Sequence, residues 1–345
     1  MVGTPSDGLS GRWYRHRGMV ATLRGLWLEV RVIPVLLWSF SALTVGTALA
    51  AHGRSLEVWY YVGAVVLGAL IQGLLAHCVN EVADWRSGTD RHPSPRVISG
   101  GSKVIAAGLL GERALLATFA VALLATVVLG LALVAARGLI VLPFGLVGVA
   151  GAIFYTVPPL RAAYRPFAGE AVAFVCLADC VIGAHVLQGG RALDAAALAT
   201  AVAVAAYAVG MLMVHHYLDR DADRAATPPK VTSIVRLGLQ NGRRYAIAWC
   251  LVALAAAMVG SVAEPRLLPL VAGYAIGLLA HLRCRPDDVE SVSKNELAII
   301  FAGIAAALSS AALLVPALSL AMVVAVVLVA IEMRLAVAPA GTPAA

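Results

Sequence analysis

Apolar stretches of about 20 residues recur along almost the whole chain and are separated by short polar loops. A helix of about that length rises ~30 Å, which matches the hydrocarbon core of a bilayer. The chain is 61% hydrophobic and only 13% charged, whereas soluble domains carry about 25% charged residues. The alternation over about 10 residues that is typical of membrane β-strands is missing from the sequence. The pattern therefore predicts an all-α, polytopic membrane helix bundle.

The apolar stretches predict nine spans, and a further stretch at 317–333 follows Pro316 as a possible tenth. We expect residues 27–335 to form the transmembrane domain, with 1–26 as a basic tail and 336–345 as a second tail. The nine stretches lie at 32–52, 57–79, 114–136, 138–158, 170–189, 195–218, 245–263, 267–282 and 297–315.

Basic residues predict the orientation in the membrane. If the N-terminus is cytoplasmic and each span changes side, 22 of the 26 Lys and Arg lie on the cytoplasmic side, where basic residues normally concentrate. Only Arg54, Arg137, Arg191 and Arg266 lie outside. The net charge of +7 is thus explained by topology, and no nucleic-acid partner is expected. We expect a protein of the cell inner membrane.

Two polar loops, 80–103 and 215–244, each follow directly on an apolar stretch and fall on the predicted cytoplasmic side. Asn80 and Asp84 are four residues apart, as are Asp219 and Asp223, so each pair shares a helix face. Asp90 follows Gly88, where the first helix is expected to end and fold back. The spacing predicts that the two acidic pairs meet across the mouth of one cavity.

The chemistry of these loops is typical of a metal-bridged polyphosphate site. Mg²⁺ usually takes one or two carboxylates and completes its shell with substrate phosphate oxygens. Arg and Lys side chains suit the remaining phosphate oxygens. The alternative is a pair of ordinary solvated loops that follow the positive-inside rule. The cations that the two loops supply include Arg86, Arg91, Arg96, Lys103, Arg220, Arg224, Lys230 and Arg236.

Asp179 lies in the middle of an apolar stretch, where a carboxylate is costly and tends to face a cavity. It is a candidate base, or a group that hydrogen-bonds a substrate. The alternative is a structural pair with another buried polar group, such as His185 or Gln72.

Several motifs together resemble the UbiA superfamily of intramembrane prenyltransferases. NEVADWRSGTD (80–90), with PRVISGG (95–101) after it, is similar to the first aspartate-rich motif, and the step from Asp84 to Asp90 is closest to the 1,4-dihydroxy-2-naphthoate prenyltransferase branch. FYTVPPLRAAYR (154–165) resembles the fourth-span ending of that branch. Asp219, Asp223 and KVTSIVRLG (230–238) resemble the second motif.

The resemblance implies helices around a lipid-open central cavity that binds an isoprenyl diphosphate and an aromatic, quinone-precursor-like acceptor. Asn80, Asp84, Asp219 and Asp223 would hold Mg²⁺, and Asp90 belongs to the same motif. Lys103, Arg96, Arg165 and Lys230 would bind the diphosphate, and Tyr155 would lie near the allylic carbon. The implied activity is Mg²⁺-assisted ionisation of the diphosphate followed by prenyl transfer.

The sequence departs from the family pattern at the two motifs. Glu81 stands where the family usually has Asp, and His215 and His216 stand where this branch tends to have Asn. Glu81 and His215 are therefore further candidate metal ligands or proton acceptors. For His215 the alternative is a hydrogen bond to a neighbouring helix. The altered second motif also keeps open an intramembrane terpene cyclase that needs no acceptor.

A transporter is the candidate from another functional class, because intramembrane carboxylates couple to cations in many carriers. In this chain, however, the acidic residues cluster at span ends, and only Asp179 lies deep.

Overall fold

The computed structural model describes residues 18–91 and 101–336. Within them, nine helices are long and apolar enough to cross a membrane, one apolar helix is shorter, and no β-strand occurs. The helices are α1 (Met19–Ala51), α2 (Val58–Ser87), α3 (Glu112–Arg137), the shorter α4 (Leu139–Phe154), α5 (Ala168–Leu187), α6 (Ala195–His216), the short polar α7 (Arg220–Ala225), α8 (Ser233–Ala263), α9 (Pro265–Arg283), α10 (Val289–Leu314) and α11 (Pro316–Leu335).

The predicted all-α class and the number of nine long spans are confirmed. The set of sequence stretches that form those nine spans differs from the prediction. The stretch 138–158 forms only the shorter helix α4, and the expected tenth stretch lies within α11. Helix α4 ends at Phe154 because Pro158 and Pro159 follow, and a residue before proline is disfavoured in helical geometry. Several helices begin well before the apolar stretches that predict them, since α1 starts at Met19, α8 at Ser233 and α10 at Val289.

Two helices are interrupted where they border the interior. Arg31 adopts a left-handed conformation (φ 53°) and divides α1, and a π-helical turn with Pro34 follows it. Helix α2 contains a second π-helical segment, Ala69–Leu75. Such π-helical insertions are frequent at functional sites because they re-aim side chains. The end of α2 is set by Gly88 (φ 90°), which confirms the expected break before Asp90.

Helix α6 forms the centre of the packed half of the bundle. Its alanines and valines from Ala203 to Val214 are buried between α5, α8 and α10, because small side chains let membrane helices approach closely. Tyr207 of α6 stacks on Tyr274 of α9 with ring centroids 4.2 Å apart. The Tyr207 hydroxyl donates to the carbonyl of Ile299 in α10 at 2.9 Å. This core holds the start of the second loop in place.

Helices α2 to α5 pack more loosely and enclose a cavity. The residues of α3 are mostly exposed apolar side chains, such as Val121 and Leu124, which suits a lipid-facing helix. The ends of α2 and α6, with the segments that follow them, lie at one end of the cavity, called the loop end below.

Candidate active site

The two polar loops meet at the loop end. The backbone N–H of Thr227 in the second loop donates to the carbonyl of Ser87 in the first at 2.9 Å. The Lys230 ammonium donates to Asp84 Oδ2 at 2.7 Å, and both side chains are buried. The structure therefore brings the first and second acidic motifs to one junction.

Asp84 is fully engaged in this junction. Its Oδ1 accepts a hydrogen bond from the Tyr164 hydroxyl at 2.8 Å, while Lys230 contacts Oδ2. Burial opposes the charge of Lys230, yet Asp84 and Asp223 raise its pKa well above the ordinary value. Burial and the Asp84 charge raise the pKa of Tyr164 to about 12. Lys230 thus stays cationic and Tyr164 stays a neutral donor at physiological pH.

Asp90 forms a second ion pair at the same junction. The turn after Gly88 directs it into the protein, where its Oδ1 pairs with the ammonium of Lys103. Its Oδ2 is buried and has no hydrogen-bond partner among the residues that the structure describes. Burial and the nearby Asp84 charge raise the pKa of Asp90. Gly101 packs so closely on Asp90 that a Cβ atom there would lie 2.5 Å from Oδ2.

Glu81 positions the segment that carries Lys103. Its carboxylate accepts from the Ser102 hydroxyl at 2.8 Å and from the backbone N–H groups of Lys103 and Ile105, each at 3.2 Å. Ser102 also donates to the buried Glu29 at 2.6 Å. With both oxygens occupied in this way, Glu81 holds a loop rather than facing the cavity.

Asp223 is the most buried carboxylate of the second motif, with 1% of its surface exposed. Its Oδ2 lies 3.7 Å from Nδ1 of His216, and neither atom has a hydrogen-bond partner within 18–91 and 101–336. The backbone of Asp223 accepts from the Lys230 N–H at 2.9 Å, which closes the loop. Asp219 is half-buried one turn earlier, and its carbonyl accepts from the Asp223 N–H at 2.8 Å.

His215 connects three helices. Its Nδ1 lies 2.7 Å from Glu296 of α10, and its Nε2 lies 3.1 Å from the Arg31 guanidinium. Because arginine only donates, Nε2 is the acceptor and Nδ1 carries the proton. Of the two roles expected for His215, the structure shows the hydrogen bond to a neighbouring helix.

The cavity behind the junction has a volume of about 450 Å³ and a largely apolar wall. It extends from Lys230 and Asn80 at the loop end to Leu187 at the far end of α5. The Asn80 amide donates to Thr156 Oγ1 at 3.3 Å. Tyr155 and Asp179 both line this cavity, as the sequence predicts for groups that face a substrate.

Of the other two predicted diphosphate-binding cations, only Arg165 belongs to the described residues, and it does not line the cavity. Arg165 is exposed and donates to the carbonyl of Pro159 at 3.2 Å. Arg96 lies outside the described residues. Asp179 shows no ion pair with His185 and no hydrogen bond to Gln72, the two structural partners considered for it; all three residues belong to the described part.

The donor set at the junction fits a Mg²⁺ ion shared with a polyphosphate. Within residues 18–91 and 101–336, no three His, Cys, Asp or Glu side chains form a complete metal cage. A cage is unnecessary, since Mg²⁺ takes most of its ligands from phosphate and water. The buried, unpartnered oxygens of Asp223 and Asp90 are hard ligands of the required type.

Sequence patterns did not assign roles to three residues of this network. Tyr164 appears in the motif 154–165, but its contact with Asp84 depends on how the chain folds after α4. The sequence motifs give no role to Arg31 or Glu29, although polar residues beside a long apolar stretch signal a buried network. Their partners, His215 and Ser102, are remote in sequence.

Comparison with known proteins agrees with this arrangement. Three solved structures share the fold: a UbiA homolog from Archaeoglobus fulgidus bound to GPP and Mg²⁺ (14% identity, TM-score 0.62, 82% of this chain and 99% of that chain), an apo UbiA homolog from Aeropyrum pernix K1 (14%, 0.58, 82% and 97%), and a digeranylgeranylglyceryl phosphate synthase (13%, 0.56, 83% and 98%). No protein with a curated description matches the chain significantly. The model of the UbiA prenyltransferase family matches residues 38–295, and the chain therefore belongs to that family.

Proposed function

We propose that this membrane prenyltransferase transfers an isoprenyl group from an isoprenyl diphosphate to an aromatic acceptor, with Mg²⁺ at the loop end. The observation that carries the proposal is the junction of Asp84, Asp223 and Lys230 at the mouth of an apolar cavity. The Archaeoglobus fulgidus homolog, which has the same fold, is bound to GPP and Mg²⁺.

In this proposal the carboxylates bind Mg²⁺, and the lysines bind phosphate oxygens of the diphosphate. Asn80, Asp84, Asp90, Asp219 and Asp223 would hold Mg²⁺, which when bound supplies the positive charge that a departing diphosphate needs. Lys230 and Lys103 would move from their carboxylate partners to phosphate oxygens. Their ion pairs therefore keep two cations ordered at the mouth.

The apolar wall of the cavity supports ionisation of the allylic C–O bond. A carbocation formed there is shielded from water, and every electrostatic contact at the mouth is strengthened by the low dielectric. The Tyr155 ring lines the cavity just below the junction and offers its π face to the cation. A ring carbon of the acceptor then supplies the electron pair, and the ring loses a proton.

The loop end is proposed to face the cytoplasm. The diphosphate end of the substrate is polar and water-soluble, so it would enter the site from that aqueous side. The excess of Lys and Arg in the loops on that side supports this orientation.

The test is turnover by the purified protein in detergent or nanodiscs. Geranyl, farnesyl and geranylgeranyl diphosphate would be supplied with and without 1,4-dihydroxy-2-naphthoate, in Mg²⁺ or in EDTA. We expect Mg²⁺-dependent diphosphate release and a prenylated aromatic product by mass spectrometry. A cyclised hydrocarbon or alcohol without acceptor would indicate a terpene cyclase instead, and absence of diphosphate release would exclude both activities.

A further inference from the structure

Three polar side chains line the cavity well below the junction, on three different helices. They are Gln72 of α2, Thr126 of α3 and Asp179 of α5, and they are called the mid-depth polar set here. The surrounding wall is mostly apolar, and the neighbouring Ser39 hydroxyl already donates to the carbonyl of Leu36 at 3.0 Å.

Helix contacts place Asp179 and Gln72 at one depth. On α5, Cys176 packs against Gly151 of α4, and Gly183 packs against Phe144. Asp179 lies between those two contacts and is therefore level with residues 147–148 of α4. Gly148 packs against Ile71 of α2, the neighbour of Gln72.

The same reasoning places Thr126 at this depth. Leu133 of α3 packs against Gly63 of α2, and the two helices run in opposite directions. Thr126 is seven residues from Leu133, about 10 Å toward the loop end. Seven residues from Gly63 in the same direction is residue 70, next to the π-helical turn that carries Gln72.

None of the three groups is satisfied by the protein within the described residues. Gln72 Oε1 and Thr126 Oγ1 are buried and lack a hydrogen-bond partner. Asp179 has neither a hydrogen-bond nor an ion-pair partner in that part of the chain. Buried polar groups in native proteins are usually paired, so three unpaired groups around one cavity indicate a ligand that pairs with them.

The mid-depth polar set lies too far from the junction to serve the diphosphate. The Tyr155 ring packs against Gly169 of α5, since a Cβ atom there would lie 3.5 Å from the ring. Asp179 is ten residues farther along α5, which corresponds to about 15 Å. The ligand of the polar set is therefore a different chemical group from the phosphates.

We propose that Gln72, Thr126 and Asp179 bind oxygen substituents of the acceptor, which is an elongated aromatic compound with hydroxyl or carbonyl groups remote from its reacting carbon. This rests on the proposed function. The isoprenyl chain is a hydrocarbon and offers these groups nothing to bond, whereas an oxygenated ring offers both donors and acceptors. The aromatic body of such a compound matches the apolar wall between the two polar levels.

The experiment compares Gln72→Leu, Thr126→Val and Asp179→Asn with wild type, using 4,4′-biphenol and 4-phenylphenol as acceptor probes and farnesyl diphosphate as donor. The two probes differ only in the hydroxyl that is remote from the reacting ring. Each variant should raise the KM for 4,4′-biphenol about tenfold, as expected for one lost hydrogen bond in a dry site, while the KM for farnesyl diphosphate changes less than twofold. The variants should discriminate less between 4,4′-biphenol and 4-phenylphenol than wild type does.

Thr118→Val is the matched control, because Thr118 lies on the same helix but does not line the cavity, and its hydroxyl donates to the Ala114 carbonyl at 2.9 Å. The inference is overturned if all three variants keep the wild-type acceptor KM, or if the KM for farnesyl diphosphate rises equally. It is also overturned if the variants change the product formed without acceptor. Failure of the proposed function is distinguishable, since the wild type would then form no prenylated acceptor at all.

Discussion

The two polar levels of the cavity differ in how their charges and hydrogen bonds are satisfied. At the loop end Asp84 and Asp90 are each paired with a lysine, and Tyr164 and Thr227 complete the contacts. At mid-depth the polar side chains have no such partners in the described residues. The loop end is therefore ordered by the protein itself before any ligand binds, whereas the mid-depth polar set needs a ligand to be satisfied.

The largest effect is expected from removing a carboxylate charge at the loop end. Asp84→Asn and Asp223→Asn should each lower turnover of farnesyl diphosphate by about 10² or more, since a preorganised charge beside the reacting bond is usually worth that much. Size-exclusion profiles and membrane insertion should match wild type. Asp221→Asn is the control, because Asp221 is exposed and only contacts Arg220. Wild-type rates in either active-site variant would contradict the assignment.

Most of the fold was predictable, because a span is a local property of the sequence. Hydropathy alone separates the apolar stretches, and Gly88 marks the end of α2. Hydropathy does not distinguish a full span from a short apolar helix, so it predicts α4 as a span like the others. Its length is decided by the chain that follows it, where Pro158 and Pro159 occur.

The candidate site was only partly predictable, for a physical reason that its residues illustrate. The four-residue spacing within each acidic pair predicts that Asp84 and Asp223 face one site. It does not predict which lysine neutralises Asp84. Glu81 is a residue type that commonly binds metal ions. In the fold, however, its carboxylate accepts hydrogen bonds from Ser102 and Lys103, which follow Gly101. Contacts between segments remote in sequence are fixed by tertiary packing, and one sequence does not reveal them.

Lys230 gives the next largest effect, on stability as well as turnover. Lys230→Met leaves the buried Asp84 without its cation, which should cost about 3–5 kcal/mol of stability. The melting temperature of the purified protein reports this loss. Adding Asp84→Asn to Lys230→Met should recover much of the stability but none of the activity. Lys294→Met, on an exposed position of α10, should change neither quantity. An unchanged melting temperature in Lys230→Met would show that the pair does not order the loop end.

The smallest effect is expected for Tyr164→Phe. This variant distinguishes the contribution of the Tyr164 hydrogen bond from that of the Asp84 charge. The substitution removes one donor to Asp84 while Lys230 still neutralises the carboxylate, so about 1 kcal/mol of stability should be lost. Turnover should fall far less than in Asp84→Asn, because the carboxylate keeps its charge. If Tyr164→Phe were as inactive as Asp84→Asn, the hydroxyl would itself act on the substrate, and the loop end would not be ordered by its ion pairs alone.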